Sequence, residues 1–120
     1  MDKLQAYNQF WNSFGIPAYD EGSVPDGAMQ PYITYSAASD GFDNAVYLSA
    51  SLWYRDTSWV DITQKEKEIS ERIGRGGINV PYDNGAFWMV KGSPWAQRMA
   101  DPNDDMIRRI VLQLNVEFFD

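Results

Sequence analysis

The sequence predicts an α+β domain in which one mainly antiparallel sheet of about four to five strands has two helices packed on it. Three observations lead to this prediction. Apolar residues recur every three or four positions in two segments, which is the period of a helix with one buried face. Apolar and polar residues alternate in other segments, as in strands. An Asn-Gly pair joins two of these alternating segments, as in a tight hairpin. The predicted order is helix, hairpin, helix, hairpin and strand.

The first helix is predicted over residues 2 to 14. Gly15 and Pro17 follow it and end it, because glycine supplies a left-handed cap and proline cannot continue a helix. Its apolar stripe consists of Leu4, Tyr7, Trp11 and Phe14. Residues 18 to 31 are rich in glycine, proline and acidic side chains, so we expect a loop that serves as an arm or insertion, with a short extended piece near residues 16 to 19.

The first hairpin is predicted from a strand that begins at Pro31 and a second strand over residues 45 to 55, with a turn at Ser39-Asp40-Gly41. A second helix follows over residues 59 to 73. Ser58 and Asp61 have the spacing of a capping box at its start. Its predicted buried stripe consists of Trp59, Ile62, Ile69 and Ile73, with Glu66 on the same side.

The second hairpin is predicted over residues 78 to 82 and 86 to 91, around Asn84-Gly85. Gly92-Ser93-Pro94-Trp95 should break the strand. Residues 93 to 105 then form a polar excursion, in which residues 95 to 100 can make one turn of helix. Residues 107 to 119 alternate and predict a long final strand. We found no internal repeat, low-complexity tract or linker, so residues 1 to 120 are predicted to form a single domain.

The composition argues against several classes of function. The chain contains neither cysteine nor histidine, which removes the thiolate nucleophile, the usual proton-transfer side chain and the commonest zinc ligands. Ten basic and seventeen acidic residues give a net charge of −7, which repels nucleic-acid backbones and anionic membranes. The amino terminus has no signal-peptide pattern and no stretch is apolar enough to span a membrane, so we expect synthesis in the cytosol and no membrane partner.

The motifs that suggest chemistry are weak. Gly74-Arg75-Gly76-Gly77 follows a helix and lacks the lysine and hydroxyl of a nucleotide loop. The acidic residues Asp101, Asp104 and Asp105 do not have the spacing of a calcium loop, and carboxylate pairs among seventeen acids have no specificity. We therefore predict a protein that is not an enzyme, with no catalytic residue, cofactor or metal.

Aromatic residues make up 15% of the chain, and some lie in the predicted strands. They could form a flat platform that stacks on sugars, although the same residues in alternating strands more often pack beneath a helix, and we favour that arrangement. The residues concerned are Tyr32, Tyr35, Tyr47, Trp53 and Trp88.

Part of the chain resembles the tail terminator, or tail completion, proteins of long-tailed, non-contractile bacteriophages and prophages. The resemblance covers about half of the chain, over residues 16 to 73, and is best from Pro25 to Tyr35. The segments that show it are Ile16-Pro17-Ala18-Tyr19, Val24-Pro25-Asp26-Gly27-Ala28, Pro31-Tyr32-Ile33-Thr34-Tyr35 and Leu52-Trp53-Tyr54-Arg55-Asp56. The segment around Trp88 and Pro94-Trp95 does not follow the family pattern.

The resemblance implies a subunit that assembles in the host cytoplasm as a ring, usually a hexamer, at the head-proximal end of the tail tube. Such a ring stops tube polymerisation and offers the docking surface for the head, so the implied partners are other copies of the chain, the tail tube protein and a head connector or head-completion protein. The implied location is the head-tail junction of the virion. DNA would pass through the lumen without specific binding, which agrees with the acidic composition.

We predict that the loops at 20 to 30 and 93 to 105 make subunit or tube contacts. The candidate interaction residues are Trp95, Arg98, Met99, Glu21 and Asp26, since Trp, Arg and Met are enriched in interface cores. The alternative is that Trp95 only closes the bottom of the sheet, and the sequence weighs the two equally. The alternative functions are another neck, head-completion or minor capsid protein and, in a different class, a monomeric carbohydrate-binding or inhibitor-like module.

Overall fold

A computed structural model describes residues 1–36 and 46–119, and it confirms the α+β class with two helices. The sheet has six strands in the order β1-β2-β3-β6-β5-β4, is mixed, and curls into a half-barrel. The elements in chain order are α1 (Lys3–Trp11), a 3-10 turn (Asn12–Phe14), β1 (Ala18–Asp20), β2 (Tyr32–Tyr35), β3 (Val46–Arg55), α2 (Val60–Ile73), β4 (Ile78–Tyr82), β5 (Gly85–Ala100) and β6 (Ile107–Phe119).

The predicted strand number and the mainly antiparallel description are incomplete because of β1. This three-residue strand pairs in parallel with β2, and the other neighbouring strands pair antiparallel. A strand of three residues is too short to show an alternating pattern, so only the expected extended piece near residues 16 to 19 pointed to it. The predicted hairpin turn at 39 to 41 lies outside the described residues, although β2 and β3 do pair as expected.

The first helix begins as the sequence suggests and ends earlier. Asp2 is its N-cap and forms a capping box with Gln5, whose backbone N–H donates to Asp2 Oδ1 at 2.8 Å. The α-helix ends at Trp11, the 3-10 turn completes the predicted segment, and Gly15 has the expected left-handed conformation, with φ of 86°. Both α1 and the turn place bulky side chains in the core.

The second helix is confirmed, but its predicted capping box is wrong. Trp59 is the N-cap and has no side-chain cap, while Ser58 Oγ accepts a hydrogen bond from the Val60 N–H at 3.0 Å. The predicted isoleucine stripe is fully buried, whereas Trp59 is only half-buried and lies at the margin of the core. The helix therefore packs through isoleucine and leaves Trp59 beside a neighbouring strand.

The second hairpin and the final strand are confirmed, but the predicted break after Lys91 is wrong. Strand β5 continues to Ala100, and the helical turn expected at 95 to 100 is extended strand. A register shift between Lys91 and Ala96 absorbs the proline and glycine of this segment. A Cβ on Gly92 would lie 3.0 Å from the Gln113 carbonyl carbon, so this glycine permits close packing on β6 instead of ending the strand.

Both helices pack on the same face of the sheet and share one hydrophobic core. The Tyr7 ring on α1 contacts Tyr35 and Phe87 edge to face, with centroids 5.5 Å apart in each pair. Lys65 Nζ on α2 donates to the Phe14 carbonyl at 2.6 Å and ties the second helix to the end of the first. The opposite sheet face has no helix on it among the described elements.

Candidate functional site

One edge of the sheet is open along the second half of β5. Strand β4 pairs with β5 only from Gly85 to Met89, so residues 96–100 have β6 on one side and no strand on the other. Alternate residues of such a stretch have both their N–H and their C=O pointing away from the sheet and free to pair. No hydrogen bond to these outward groups occurs in the described part of the chain. We call residues 96–100 the open edge.

The opposite edge of the sheet is closed by a side chain. The Ala18 N–H donates to Asn12 Oδ1 at 3.0 Å, and Asn12 Nδ2 donates to the Ala18 carbonyl at 3.2 Å. The carboxamide of Asn12 thus bonds to β1 as the peptide group of a neighbouring strand would. Since β1 has only three residues, this pair of bonds protects much of its outer edge. The two edges of the sheet are therefore unequal.

A depression of about 320 Å³ lies beside the open edge, between α2 and β5. Its walls are mainly apolar, and Arg98 from the open edge forms one side. The residues around it are Trp59, Val60, Thr63, Gln64, Lys67 and Arg98. A smaller depression of about 140 Å³ continues along the same strand and shares Thr63 and Arg98. We call the two together the edge groove.

The edge groove contains more positive than negative charge, and two of its basic side chains have no ion-pair partner among the described residues. The Arg98 guanidinium carbon lies 4.7 Å from the centre of the Trp59 ring, and that of Arg108 lies 5.4 Å from it. Neither Arg98 nor Lys67 forms an ion pair or hydrogen bond among the described residues. Glu66 lines the smaller depression and is the acidic residue of the groove. Thr63 Oγ1 is buried and has no hydrogen-bond partner in the described part of the chain.

The structure brings three of the predicted interaction residues to this strand. Arg98 and Met99 lie on the open edge and are exposed, with Arg98 toward α2 and Met99 on the opposite sheet face, where it pairs in register with Arg109. Trp95 is half-buried against the core, and Lys91 Nζ lies 5.9 Å from its ring centre. Trp95 therefore packs on the sheet as in the alternative interpretation, and it still borders the open edge.

The other two predicted residues lie on the far side of the sheet. Glu21 and Asp26 are exposed in the segment of residues 21–31 that joins β1 to β2, which we call the acidic arm. The Glu21 N–H bonds to the Tyr35 carbonyl at 2.9 Å and anchors the base of the arm. Near its other end, Met29 is 81% exposed, which is unusual for a large apolar side chain.

The acidic arm and the open edge lie at the same level of the sheet, on opposite sides. One row of paired residues crosses five strands from Ala18 in β1 to Arg98 in β5, by way of Ile33, Leu52 and Ile110. Four strand spacings of about 4.8 Å place the two ends roughly 19 Å apart. The structure does not bring Glu21 and Asp26 together with Trp95, Arg98 and Met99 within one chain.

Little in the sequence pointed to the remaining residues of this site. Trp59 and Lys67 belong to a stripe at four-residue spacing along one side of α2, at the boundary between its apolar and polar faces. That stripe was visible, but only the extension of β5 shows that it borders a sheet edge. Asn12 had no signal, since an asparagine after a helix is also an ordinary end of that helix.

The aromatic residues form a second candidate surface, on the sheet face without a helix. The Tyr19 and Tyr32 ring centres are 5.8 Å apart, and those of Tyr32 and Trp53 are 6.4 Å apart. We call Tyr19, Tyr32 and Trp53 the aromatic row. The Arg109 guanidinium carbon lies 4.4 Å from the Trp53 ring centre, at the end of this row. Two buried hydroxyls hold this row in place, because Trp53 Nε1 donates to Thr34 Oγ1 at 2.9 Å and the Arg109 guanidinium donates to a serine.

The prediction that the strand aromatics pack beneath a helix is correct for one of them. Tyr35 is buried against α1, and Asn8 Nδ2 donates to its hydroxyl at 2.6 Å. The prediction is wrong for Tyr32 and Trp53, which are half-buried on the other face, and for Tyr47 and Trp88, which are 87% and 39% exposed. The two-residue period of the strands showed which residues share a sheet face, but it did not show which of the two faces the helices cover.

The acidic segment before β6 is a hydrogen-bonded turn. Asp101 Oδ1 accepts from the Asn103 N–H at 2.8 Å, and Asp104 Oδ1 accepts from the Met106 N–H at 2.9 Å. The hydrogen bond from Arg55, followed by that from the Met106 N–H, lowers the pKa of Asp104. Within residues 1–36 and 46–119, no group of three or more acidic side chains is placed to hold a metal ion.

Comparison with protein-family models, with curated proteins and with solved structures found no match to this chain. Among the described residues, no helix is long and apolar enough to cross a bilayer. The fold and the site thus define the chain as an α+β domain with one closed sheet edge, one open sheet edge and a basic groove beside the open one.

Proposed function

We propose that this chain is a structural subunit of a phage virion. In this proposal it forms a ring, usually of six copies, at the head-proximal end of the tail tube, stops tube polymerisation and provides the surface on which the head connector docks. The observation that supports it best is the inequality of the two sheet edges, one closed by Asn12 and one open along residues 96–100. A surface that differs on the two sides of a subunit favours head-to-tail contacts, and these close into rings when the rotation allows.

The segment of best resemblance also supports this proposal. Residues 25 to 35 include most of the exposed acidic arm and all of β2, which lies between β1 and β3 in the sheet. The segment thus has one half fixed in the sheet and one half exposed for contact. The net charge of −7 is compatible with a lumen through which DNA passes without binding.

The ring is tested by measuring the mass of the purified protein and by negative-stain imaging. We expect a single closed oligomer that contains only this chain. Arg98→Glu should weaken it, because the reversal places a carboxylate in the edge groove, whereas Arg75→Glu is a matched control at an exposed turn that lies outside the groove.

The role in the tail is tested by adding the protein to tube subunits encoded in the same genome while they polymerise. We expect shorter tubes that end in a ring, and no such effect from Arg98→Glu. A protein that stays monomeric and leaves tube length unchanged would contradict the proposal. A ring that binds a head protein but not the tube would favour another neck, head-completion or minor capsid role, for which the position of the gene relative to capsid and tube genes is the independent check.

The aromatic row supports a second candidate, a monomeric carbohydrate-binding module. Tyr19, Tyr32 and Trp53 form a continuous stacking surface of the kind that sugars bind. Titration with glycans, followed by tryptophan fluorescence, tests it. Trp53→Ala should abolish binding and Trp88→Ala, which removes an exposed tryptophan outside the row, should not. A monomer that binds glycans in this way would replace the ring proposal.

A further inference from the structure

We propose that the edge groove binds the acidic arm of a second copy of this chain, so that copies associate head to tail. This inference rests on the proposed function, in which copies of the chain join one another, and it names the contact that joins them. The arm and the groove lie on opposite sides of the sheet, so one copy can offer its arm while it receives the arm of its neighbour.

The charges of the acidic arm and the edge groove are complementary. Glu21 and Asp26 are exposed in the arm and form no ion pair among the described residues, and no lysine or arginine occurs between Leu4 and Tyr54. The groove has Arg98 and Lys67, which also lack ion pairs in the part of the chain that the structure describes. A carboxylate beside an arginine that stacks on a tryptophan forms a directed, charge-assisted hydrogen bond.

The arm and the groove also have apolar surfaces that can cover each other. Met29 is 81% exposed at the arm, and the larger depression has the Trp59 ring and the half-exposed Val60 on its walls. Methionine is unbranched and fills irregular gaps, and a space of about 320 Å³ is large enough for its side chain. The contact would cover both an exposed apolar residue and an unfilled depression.

The open edge also has backbone N–H and C=O groups that lack partners among the described residues. Backbone groups of the neighbour's arm can form hydrogen bonds with them.

The direction of the strands fits a head-to-tail repeat. Strands β1 and β5 run in opposite directions, because one parallel and three antiparallel pairings separate them. A neighbour in the same orientation therefore brings its β1 side, and with it the arm, to the β5 side of the first copy.

Cysteine cross-linking tests this contact directly, because the chain has no cysteine of its own. The double variant Met29→Cys with Gln64→Cys places one thiol on the arm and one in the groove. After mild oxidation we expect a ladder of covalent oligomers, whereas a mixture of the two single variants should stop at dimers and each single variant alone should stay uncrosslinked. The double variant Met29→Cys with Asn79→Cys, whose second thiol lies on exposed β4, is the control and should form no ladder.

Charge exchange gives a second, independent measurement. Asp26→Arg and Arg98→Glu should each weaken association by at least about tenfold, since each brings like charges together, and the two combined should restore most of it. Both residues are exposed, so circular dichroism should show an unchanged fold. Failure of the combined variant to recover association would overturn the inference.

The outcomes separate this inference from the proposed function. Closed rings of wild-type protein without cross-linking between positions 29 and 64 would overturn the arm-groove contact and leave the ring. Cross-linking of Gln64→Cys to itself would show that two open edges pair symmetrically and would also overturn it. An arm-groove ladder from a protein that does not bind tail tubes would support the contact and reject the tail role.

Discussion

Replacement of Asn12 by alanine removes the side chain that closes the outer edge of β1. The carboxamide accepts a hydrogen bond from the Ala18 N–H and donates one to the Ala18 carbonyl, and Ala18 is 5% exposed. Two such bonds contribute about 1 kcal/mol each, and the two peptide groups become partly buried without partners. We therefore expect Asn12→Ala to lower the free energy of unfolding by about 2–3 kcal/mol.

Urea unfolding, followed by circular dichroism, measures this loss. With the slopes typical of small domains, about 1–3 kcal/mol per molar urea, the midpoint should fall by roughly 1–2 M. Asn79→Ala is the control, because Asn79 is exposed on β4 and forms no hydrogen bond among the described residues, so its effect should stay within about 0.5 kcal/mol. An Asn12→Ala protein as stable as this control would refute the view that Asn12 acts as a surrogate strand.

Three further predictions concern the core and its turns. Tyr7→Phe should leave the free energy of unfolding unchanged or raise it by up to about 1 kcal/mol in thermal unfolding, because the buried Tyr7 hydroxyl has no hydrogen-bond partner in the described structure. Tyr35→Phe is the comparison, because it loses a 2.6 Å hydrogen bond and should lower the free energy of unfolding by about 1 kcal/mol. Gly77→Ala should lower the free energy of unfolding by at least about 2 kcal/mol, since φ is 93° and a Cβ would meet a carbonyl oxygen at 2.7 Å, while Gly76→Ala, which meets nothing, is the control. Burial, aided by two carboxylates of α2, raises the pKa of Tyr54 from 10.0 to about 12. The contribution of the protonated Tyr54 hydroxyl to the free energy of unfolding is therefore complete below about pH 10 and is lost as the pH rises toward 12. Tyr54→Phe should show a smaller loss of stability between about pH 10 and pH 12.

The sequence predicts the helices and strands that are long enough to repeat their apolar period several times. Helix α2 and strand β6 have fourteen and thirteen residues, so the helical and two-residue periods are each repeated several times. Strand β1 has three residues and is held in the sheet by backbone pairing to β2 and by Asn12. Such a strand depends on tertiary contacts and has no period of its own.

The error at β5 has a different cause. Gly92 and Pro94 are residue types that normally end a strand, so the sequence predicts a break after Lys91. Here the register shift places Pro94 where no neighbouring strand needs its missing N–H. Gly92 lies where β6 approaches too closely to leave room for a side chain. The same two residues thus permit a sixteen-residue strand, and its second half becomes the open edge. Arg98 and Met99 were candidate interaction residues because of their residue types, but their place on a strand edge was not predicted.

The two edges together explain why the arm, and not β1, is the partner in the proposed contact. If both edges were open, β1 of one copy could pair directly with β5 of the next, and sheets could extend without limit. The bonds from Asn12 to Ala18 hinder that pairing, because the outward N–H and C=O of Ala18 are already satisfied. A neighbour must then present a different segment to the open edge. The acidic arm follows β1 directly, lies at the same level of the sheet and has carboxylates for the unpaired Arg98 and Lys67. In the proposed contact it is therefore the segment that meets the open edge.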